Sequence, residues 1–390
     1  MNHSSPEFIY LIQLLISVVR GETPPQNAEM SRSPLLFRLA QNHNVANILY
    51  DALIKLPDPP SEKILKRYAN EKDRAIYMET MRQIELEKVF ERFESERIEY
   101  LPLKGYVMRT LYPSVTMRTM SDVDILIKPT SLKAASAILL DEGYQLQKSW
   151  INEDTFTKNH ISIDLHNEIW QKEQYYFPFF KGIWDHSNPQ NENSFHYLMS
   201  WEYFYLFMTS HLTYHYICHG ISIRYLLDVW VFIQKQGTTL NWDFVQQQLE
   251  EMKIRSFVDK IERLTDIWFE QKPGDELSDE MTDYILARGT PEMDNFIAAN
   301  KLLINQNTFS GKERNRFHYI LSRLFLPVSS FSDRYPILKK YPFLIVGFWI
   351  TRWIRQISIA FCLKAIKGLW SVDKRTISKM RQFHKKTGLK

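Results

Sequence analysis

Hydrophobic side chains along residues 1–96 recur three and four residues apart, the spacing that places them on one face of a helix. The apolar run Phe8–Val19 predicts a first helix, because Ser4 or Ser5 can cap its start and Pro6 is favourable in a first helical turn. This run lacks a basic leader and a small-residue cleavage site, and it is too short to span a bilayer. We therefore expect an ordinary helix here.

The region from Ser61 to about Glu96 predicts a long amphipathic helix, since it contains no proline or glycine and Ser61 can serve as its N-cap. Many of its residues are charged, and we expect this charge to form a solvated face. Residues 1–96 are therefore interpreted as a helical N-terminal region.

Between residues 97 and 193 the pattern changes to that of β-strands, with apolar and polar residues alternating. The aromatic, then Asn- and Pro-rich segment Tyr175–Asn193 is interpreted as a loop. Helical spacing returns from Phe195 onward, so residues 194–390 are interpreted as a helical C-terminal region. The predicted elements of the middle region are strands at Ile98–Gly105, at Val123–Ile127 and within His160–Trp170, and a helix at Lys133–Glu142 ended by Gly143.

The most informative residues are Asp122 and Asp124, at the start of the strand predicted from Val123. Strand side chains repeat every two residues, so both carboxylates project from one face and repel each other. Asp164 lies on the next predicted strand and would complete a site for two metal ions ~3.5–4 Å apart. Hard oxygen ligands suit Mg²⁺, or alternatively Mn²⁺. Taken alone, the same residues also fit solvated acids on half-exposed strands.

Cationic and flexible residues precede the acidic pair. Lys104 and Gly105 end a predicted strand, and glycine permits a sharp turn or the close approach of a ligand. Arg118 supplies a second cation in the connection, and Ser121 directly precedes the acids. Because cationic side chains form charge-assisted hydrogen bonds with phosphate, this segment is predicted to bind phosphate.

These motifs resemble a known family. The runs Leu103-Lys-Gly, Leu-Tyr-Pro113 and Arg118-x-x-Ser-Asp-x-Asp-x-Leu-Ile127 look like the uncharacterised nucleotidyltransferase family of bacteria, within the DNA polymerase beta-like nucleotidyltransferase superfamily. Later segments around His211–His215 and Gly220–Asp228 are similar to it as well, so the resemblance covers most of the chain after about Leu101.

The resemblance implies an α+β fold with a mixed β-sheet catalytic core at residues 97–193. It also implies metal-dependent transfer of a nucleoside monophosphate from a nucleoside triphosphate to a hydroxyl acceptor, which could be a small molecule, RNA or protein. Asp122 and Asp124 match the metal-binding pair of the family, and Asp164 is the candidate third carboxylate. The chain departs from the superfamily pattern at Tyr106, which follows Gly105, and in its longer gap to the acidic pair.

Composition is consistent with a cytoplasmic enzyme. The 390 residues allow two domains or one elaborated domain, and the net charge of +4 is mild but suits an anionic substrate. The two cysteines, Cys218 and Cys362, are far apart in sequence, which argues against a disulfide scaffold.

Several histidines are candidates for the cleft. His166 shares a strand face with Asp164. His211, His215 and His219 recur every four residues along one helix face. No glutamate lies between them, which excludes a zinc-metalloprotease motif. Zinc binding, local hydrogen bonding, and a role of His211 and His215 on the nucleotide or acceptor side remain alternatives, whereas His219 is expected to mark the helix end.

Arg224 and Asp228 lie four residues apart in an apolar helical run. They are interpreted either as a surface ion pair or as a half-buried pair that orients the helical region against the sheet. Both residues are also candidates for the cleft or the acceptor side.

Residues 341–370 are strongly apolar but contain Arg352, Arg355, Lys364 and Lys367, which excludes a comfortable bilayer span. We expect a helix packed on the enzyme, and the alternative is weak peripheral membrane contact. Two other functions therefore stay open beside the enzyme: a non-catalytic nucleotide-binding module, and a membrane-peripheral interaction protein.

Overall fold

The structure is a computed structural model that describes residues 5–149, 153–171, 174–303, 337–356 and 372–389, together with Leu321, Phe325, Val328 and Tyr335. Within this part the chain forms a five-stranded mixed sheet and a two-stranded sheet, preceded and followed in sequence by helices. The predicted α+β class, with its mixed sheet and helical flanks, is confirmed.

The first helix, α1, has the end signals expected from its sequence. Ser5 accepts a hydrogen bond from the backbone N–H of Phe8, Pro6 is the first helical residue, and Gly21 ends the helix with a φ of 72°. A left-handed φ of this kind is accessible to glycine without a steric penalty. Helices α1 to α5 are Pro6–Arg20, Ala28–Ser31, Pro34–Asn42, Ala46–Leu53 and Glu62–Ser95.

Helix α5 confirms the predicted long helix, with 34 residues that begin directly after Ser61. The expectation that its charges form a solvated face is wrong for Glu79, Arg82 and Glu85, which are buried. These residues lie on the buried side of the helix, together with the apolar residues that form the core. A buried charge is costly unless it is paired, so each of them requires an ionic partner in the interior.

The larger sheet carries the acidic residues on its inner strands. Its strands stand in the spatial order β1-β2-β5-β4-β3, in which β2 and β5 are parallel and the other neighbours are antiparallel. The two acid-bearing segments are therefore direct neighbours. In chain order the strands are β1 Tyr100–Pro102, β2 Val123–Ile127, β3 Gln145–Ser149, β4 Glu153–Lys158 and β5 Ile161–His166.

One face of this sheet packs against α5 and against α7 (Leu132–Asp141), which follows the short helix α6 (Gly105–Met108). Val123, Ile125 and Ile127 belong to that apolar core. Asp124 alternates with them and therefore projects from the opposite face, toward the remaining helices.

The interpretation of Tyr175–Asn193 as a plain loop is wrong in part. This segment contains helix α8 (Phe177–Phe180), a 3-10 turn at Ile183–His186 and strand β6 (Ser187–Pro189). Strand β6 pairs antiparallel with β7 (Tyr197–Met199), which lies where helical spacing was expected to begin.

The C-terminal helices share one apolar core with the N-terminal helices α1, α3 and α4. This core covers the side of the sheet from which Asp124 projects, because Leu101 and Leu126 of the sheet also belong to it. The division of the chain at residues 96 and 193 stays a prediction. Helices α9 to α14 are Trp201–Cys218, Ile223–Gln236, Trp242–Glu251, Arg255–Phe269, Glu276–Leu286 and Pro291–Leu303.

The C-terminal stretch is described in parts, as helices Ile337–Lys340, Ile345–Gln356 and Lys374–Thr387 and a 3-10 turn at Pro342–Leu344. Phe343 is 71% exposed, and Val346 and Ile350 are exposed as well. The side chains of Arg352 and Arg355 and residues 357–371 lie outside the described part, so packing and membrane contact both stay predictions here. Among the described residues, no helix has the length and apolarity needed to cross a bilayer.

Candidate active site

The two central acids meet through strand register. Asp124 on β2 is the direct partner of Asp164 on the parallel strand β5. Both side chains are buried, with 7% and 8% exposure. Asp122 lies one residue before β2, and its Oδ1 accepts a hydrogen bond of 2.9 Å from the hydroxyl of Ser121. The structure therefore brings Asp124 and Asp164 together on neighbouring strands, and Asp122 stands at the entrance to β2.

Asp124 is held by two basic side chains. Its Oδ1 lies 2.8 Å from Nζ of Lys104 and 2.8 Å from Nε2 of His166. Burial by itself would raise the pKa of Asp124, but Lys104 and His166 outweigh it and keep that pKa well below its usual value. Asp124 is therefore a carboxylate at neutral pH.

Asp164 has the opposite electrostatic surroundings. Burial raises its pKa to about 6, and repulsion from Glu153, Asp122 and Asp124 adds to this effect, against a hydrogen bond from Thr155. Among the described residues, nothing donates a hydrogen bond to its buried Oδ1. A buried carboxylate oxygen without a donor is costly in free energy, and a cation would relieve that cost.

The donor set around this oxygen fits a divalent metal ion. One ligand atom each from Asp124, Asp164 and His166 can be chosen so that all lie within 4.8 Å of one another. Octahedral coordination at about 2.1 Å places neighbouring ligands about 3 Å apart and opposite ones about 4.2 Å apart, so these three atoms could share one ion after small movements of their side chains. The sequence predicted Asp122 as a metal ligand and His166 only as a residue of the cleft. The compact cluster instead contains His166 and does not include Asp122.

The turn after β1 brings Lys104 to the acids. Lys104 adopts a positive φ of 47°, and helix α6 starts directly after it at Gly105. A Cβ on Gly105 would lie 2.8 Å from the side chain of Met120 and 3.3 Å from Nη1 of Arg118. A side chain at this position would therefore displace Met120, because the segment before the acids packs closely against Gly105.

A cleft opens beside the acids, with a cavity volume of about 220 Å³. Helices α9 and α10 form its far side, across from β2 and the segment that precedes it. Most of the predicted site residues line it, and Asp164 and His166 adjoin it through Asp124. The predicted residues in its lining are Lys104, Gly105, Arg118, Ser121, Asp122, Asp124, His211, His215, Arg224 and Asp228.

His211 and His215 face each other in this cleft, with their Nε2 atoms 3.0 Å apart. Burial lowers the pKa of His215 to about 3 and that of His211 well below its usual value. Both imidazoles are therefore neutral at physiological pH, and one N–H is shared between them. His219 caps the end of α9, as predicted, and does not belong to the cleft lining.

The expected ion pair between Arg224 and Asp228 does not form, although both residues lie in the described part of α10. Asp228 instead accepts hydrogen bonds from Nε of Arg118, at 2.9 and 3.0 Å, and from the hydroxyl of Tyr112, at 2.7 Å. Arg224 donates from Nη1 to the carbonyl of Thr119 at 3.0 Å. Both predicted forms of an Arg224–Asp228 pair are therefore wrong, because each residue instead contacts the segment that precedes β2.

Arg82 is a site residue that sequence reasoning missed. From α5 it donates a 2.8 Å hydrogen bond to the carbonyl of Met120, two residues before Asp122. Its charge is balanced by Glu79, which also pairs with Arg109. Helical periodicity could have identified them, because Glu79 and Arg82 lie on the same face of α5 as buried apolar residues such as Leu86.

The fold and this geometry can be compared with known proteins. Among models of protein families, the one described as uncharacterised nucleotidyltransferase matches residues 31–270. No curated protein and no solved structure matches the chain. The matched span exceeds half of the 390 residues and contains all of the site residues described above.

Proposed function

The chain belongs to the uncharacterised nucleotidyltransferase family, and on this premise we propose that it transfers a nucleoside monophosphate from a nucleoside triphosphate to a hydroxyl acceptor. The acceptor oxygen forms a bond to the α-phosphorus, the bond to pyrophosphate breaks, and the acceptor loses its hydroxyl proton. The observation that supports this proposal best is the register pairing of Asp124 with Asp164 on parallel strands, with His166 and Lys104 in contact with Asp124.

The residues present fit a divalent metal ion, Mg²⁺ or Mn²⁺. The orphaned Oδ1 of Asp164, the carboxylate of Asp124 and the imidazole of His166 would hold it, with Asp122 as a further carboxylate at the edge of the site. Such an ion, when bound, neutralises phosphate charge and lowers the pKa of an acceptor hydroxyl.

Lys104 and Arg118 have separate tasks in this proposal. The Lys104 ammonium contacts one oxygen of Asp124, and the Lys104 side chain is 30% exposed and lines the cleft, so it can reach a phosphate oxygen there. Arg118 is mostly buried and is bound to Asp228, so its main contribution is to fix the segment that leads to Ser121 and Asp122. The neutral pair His211 and His215 forms an uncharged cleft wall that can donate or accept one hydrogen bond.

The direct test is a labelling experiment. Purified protein is incubated with each α-³²P nucleoside triphosphate, Mg²⁺ or Mn²⁺ and a cell extract, and label is sought on any component of the extract. Asp124→Asn and Asp164→Asn should abolish the labelling, and the matched control Asp185→Asn, at an exposed acid outside the cleft, should retain it. Metal-dependent nucleotide binding without any transfer would instead support the non-catalytic binding module.

A further inference from the structure

A second cavity lies on the other side of the segment that leads to the acids. It has a volume of about 850 Å³, within the range of about 300–1,000 Å³ that small-molecule sites occupy. Helices α3 to α5, the segment before β2 and the start of α10 surround it. It shares Met120, Ser121 and Arg224 with the cleft that holds Lys104 and Asp124, so the two spaces adjoin directly before Asp122.

Several oxygen atoms around this cavity already have donors. The carbonyl of Met120 accepts from Arg82, and the carbonyl of Thr119 accepts from both Arg118 and Arg224. Glu79 is paired with Arg82 and Arg109. Glu71, the other glutamate in the lining, accepts from the side-chain amide of Gln41. These acceptors are therefore not available as the main partners of a cationic ligand.

Cationic hydrogen-bond donors outnumber the carboxylates in the lining of this cavity. Its lining contains four arginines, Arg74, Arg82, Arg224 and Arg288, against the two glutamates. Within the described part of the chain, the buried Nε of Arg224 has no hydrogen-bond partner. In the same part, neither Arg74 nor Arg288 makes a side-chain hydrogen bond or an ion pair. Arginine N–H groups are matched in geometry to phosphate and carboxylate oxygens, so an anionic group is the ligand that this lining suits best.

We propose that this cavity binds the acceptor, and that the acceptor carries a phosphate group held by Arg224, Arg288 and Arg74. This inference rests on the proposed nucleotidyl transfer, because that reaction requires a second substrate beside the triphosphate. Phosphate is favoured over a single carboxylate because its two negative charges match several guanidinium groups. The triphosphate itself belongs in the other cleft, where Lys104 and the carboxylates lie.

The position of the cavity agrees with this assignment. Met120 and Ser121, the two residues before Asp122, line both the cavity and the cleft, so a phosphorylated molecule in the cavity can extend its hydroxyl group past Ser121 toward the acids. Arg82, whose charge is balanced by Glu79, fixes the Met120 carbonyl and so holds this shared edge of the two spaces in place.

Binding of inorganic phosphate to the full-length, metal-free protein tests the site without any reaction. Calorimetric titration in buffer with a chelator is carried out on wild type, Arg288→Ala and Arg74→Ala, and on Arg381→Ala, which removes one exposed arginine outside the cavity. The arginine changes in the cavity should weaken phosphate binding about tenfold or more, since each removes a charge-assisted contact. Arg381→Ala should leave it unchanged.

The variant Lys104→Met distinguishes phosphate bound in the cavity from phosphate bound in the triphosphate cleft, because Lys104 lines only the cleft. Phosphate binding that survives Lys104→Met and is lost in Arg288→Ala supports the proposal. Loss in Lys104→Met with retention in Arg288→Ala places the phosphate in the triphosphate cleft and overturns it, as does an absence of phosphate binding in wild type. The proposed transfer is tested independently by Asp124→Asn and Asp164→Asn, which leave the arginines intact, so failure of either idea can be recognised by itself.

Discussion

Asp228 on α10 binds Arg118 at 2.9 and 3.0 Å, across 110 residues of sequence, and so ties the helical region to the segment that leads to the acidic pair. Both side chains are nearly buried, with 12% exposure for Arg118 and 8% for Asp228. Burial would lower the pKa of Arg118, but the Asp228 carboxylate outweighs that effect and raises it, so the guanidinium stays charged. The contact therefore fixes the position of one wall of the cleft relative to the other.

The first prediction concerns this ion pair. Asp228→Ala should lower the free energy of unfolding by about 3–5 kcal/mol, because it leaves the buried Arg118 charge without its partner. Arg118→Ala should be similarly destabilising, and the double variant should lose clearly less than the sum of the two. Urea unfolding of the four proteins measures this coupling. Additive losses would mean that the two side chains act independently.

The second prediction concerns His166 as a metal ligand. His166→Asn should weaken Mn²⁺ binding about tenfold or more, measured by the electron paramagnetic resonance signal of free Mn²⁺. Bound Mn²⁺ in wild type should show coupling to an imidazole nitrogen, which His166→Asn removes. His186→Asn changes an exposed imidazole outside the cleft and should have no effect on either signal. Nitrogen coupling that persists in His166→Asn would assign the ligand to another residue.

The third prediction is a pH dependence of metal binding. The pKa of Asp164 is raised to about 6, mainly by burial, so its carboxyl group is protonated below that pH and a proton competes with the metal ion. Mn²⁺ affinity should therefore increase as the pH rises from 5 through about 6 and then level off. Asp164→Asn should bind weakly and without this step. An unchanged step in the variant would show that a different group titrates.

The fourth prediction concerns Lys104. Lys104→Met should weaken binding of a nucleoside triphosphate by ~1.5–3 kcal/mol, the range for a lost hydrogen bond to a charged group. Binding of the corresponding nucleoside, which has no phosphate, should change little. Calorimetric titration of both ligands decides between the two roles of this lysine. Equal weakening of triphosphate and nucleoside would assign Lys104 a structural role through its contact with Asp124.

The fifth prediction is an acid destabilisation that arises at His43. Burial lowers the pKa of His43 to about 3, with a smaller contribution from Arg288, and its Nδ1 accepts a hydrogen bond from the backbone N–H of Ile223. The folded state therefore favours the neutral ring, so the stability from this group is complete above about pH 6.5 and is lost as the pH falls toward 3. The melting temperature of His43→Asn should fall less steeply between pH 6.5 and 4 than that of wild type.

Local signals in the sequence were sufficient for several helices and strands and for the main acidic residues. Helix α1 follows from Ser5 and Pro6, and helix α7 is followed by Gly143 with a φ of 85°, as predicted. Strand β2 follows from a run of β-branched and aliphatic residues and β5 from alternation, and these patterns also placed Asp124 and Asp164 on strands. These features depend on a residue and its near neighbours, so the linear pattern is enough to find them.

Tertiary structure decided which of these residues meet. The sequence paired Arg224 with Asp228 because they are four residues apart, but the fold gives Asp228 a stronger partner in Arg118. The sequence predicted that the charges of α5 lie in water, but the packing of α5 on the sheet buries Arg82 and directs it to the Met120 carbonyl. The fold also places Nε2 of His166 2.8 Å from Oδ1 of Asp124.

The physical reason is the same in each case. The direction of a side chain along a helix or strand follows from the periodicity of that element, and the sequence by itself determines it. Whether Arg118 and Asp228, or Asp124 and His166, lie within 3 Å of each other depends on how remote elements pack and which strands become neighbours. Those arrangements minimise the apolar area exposed to water and the number of unpaired buried charges over the whole chain at once, and only the folded structure contains that result.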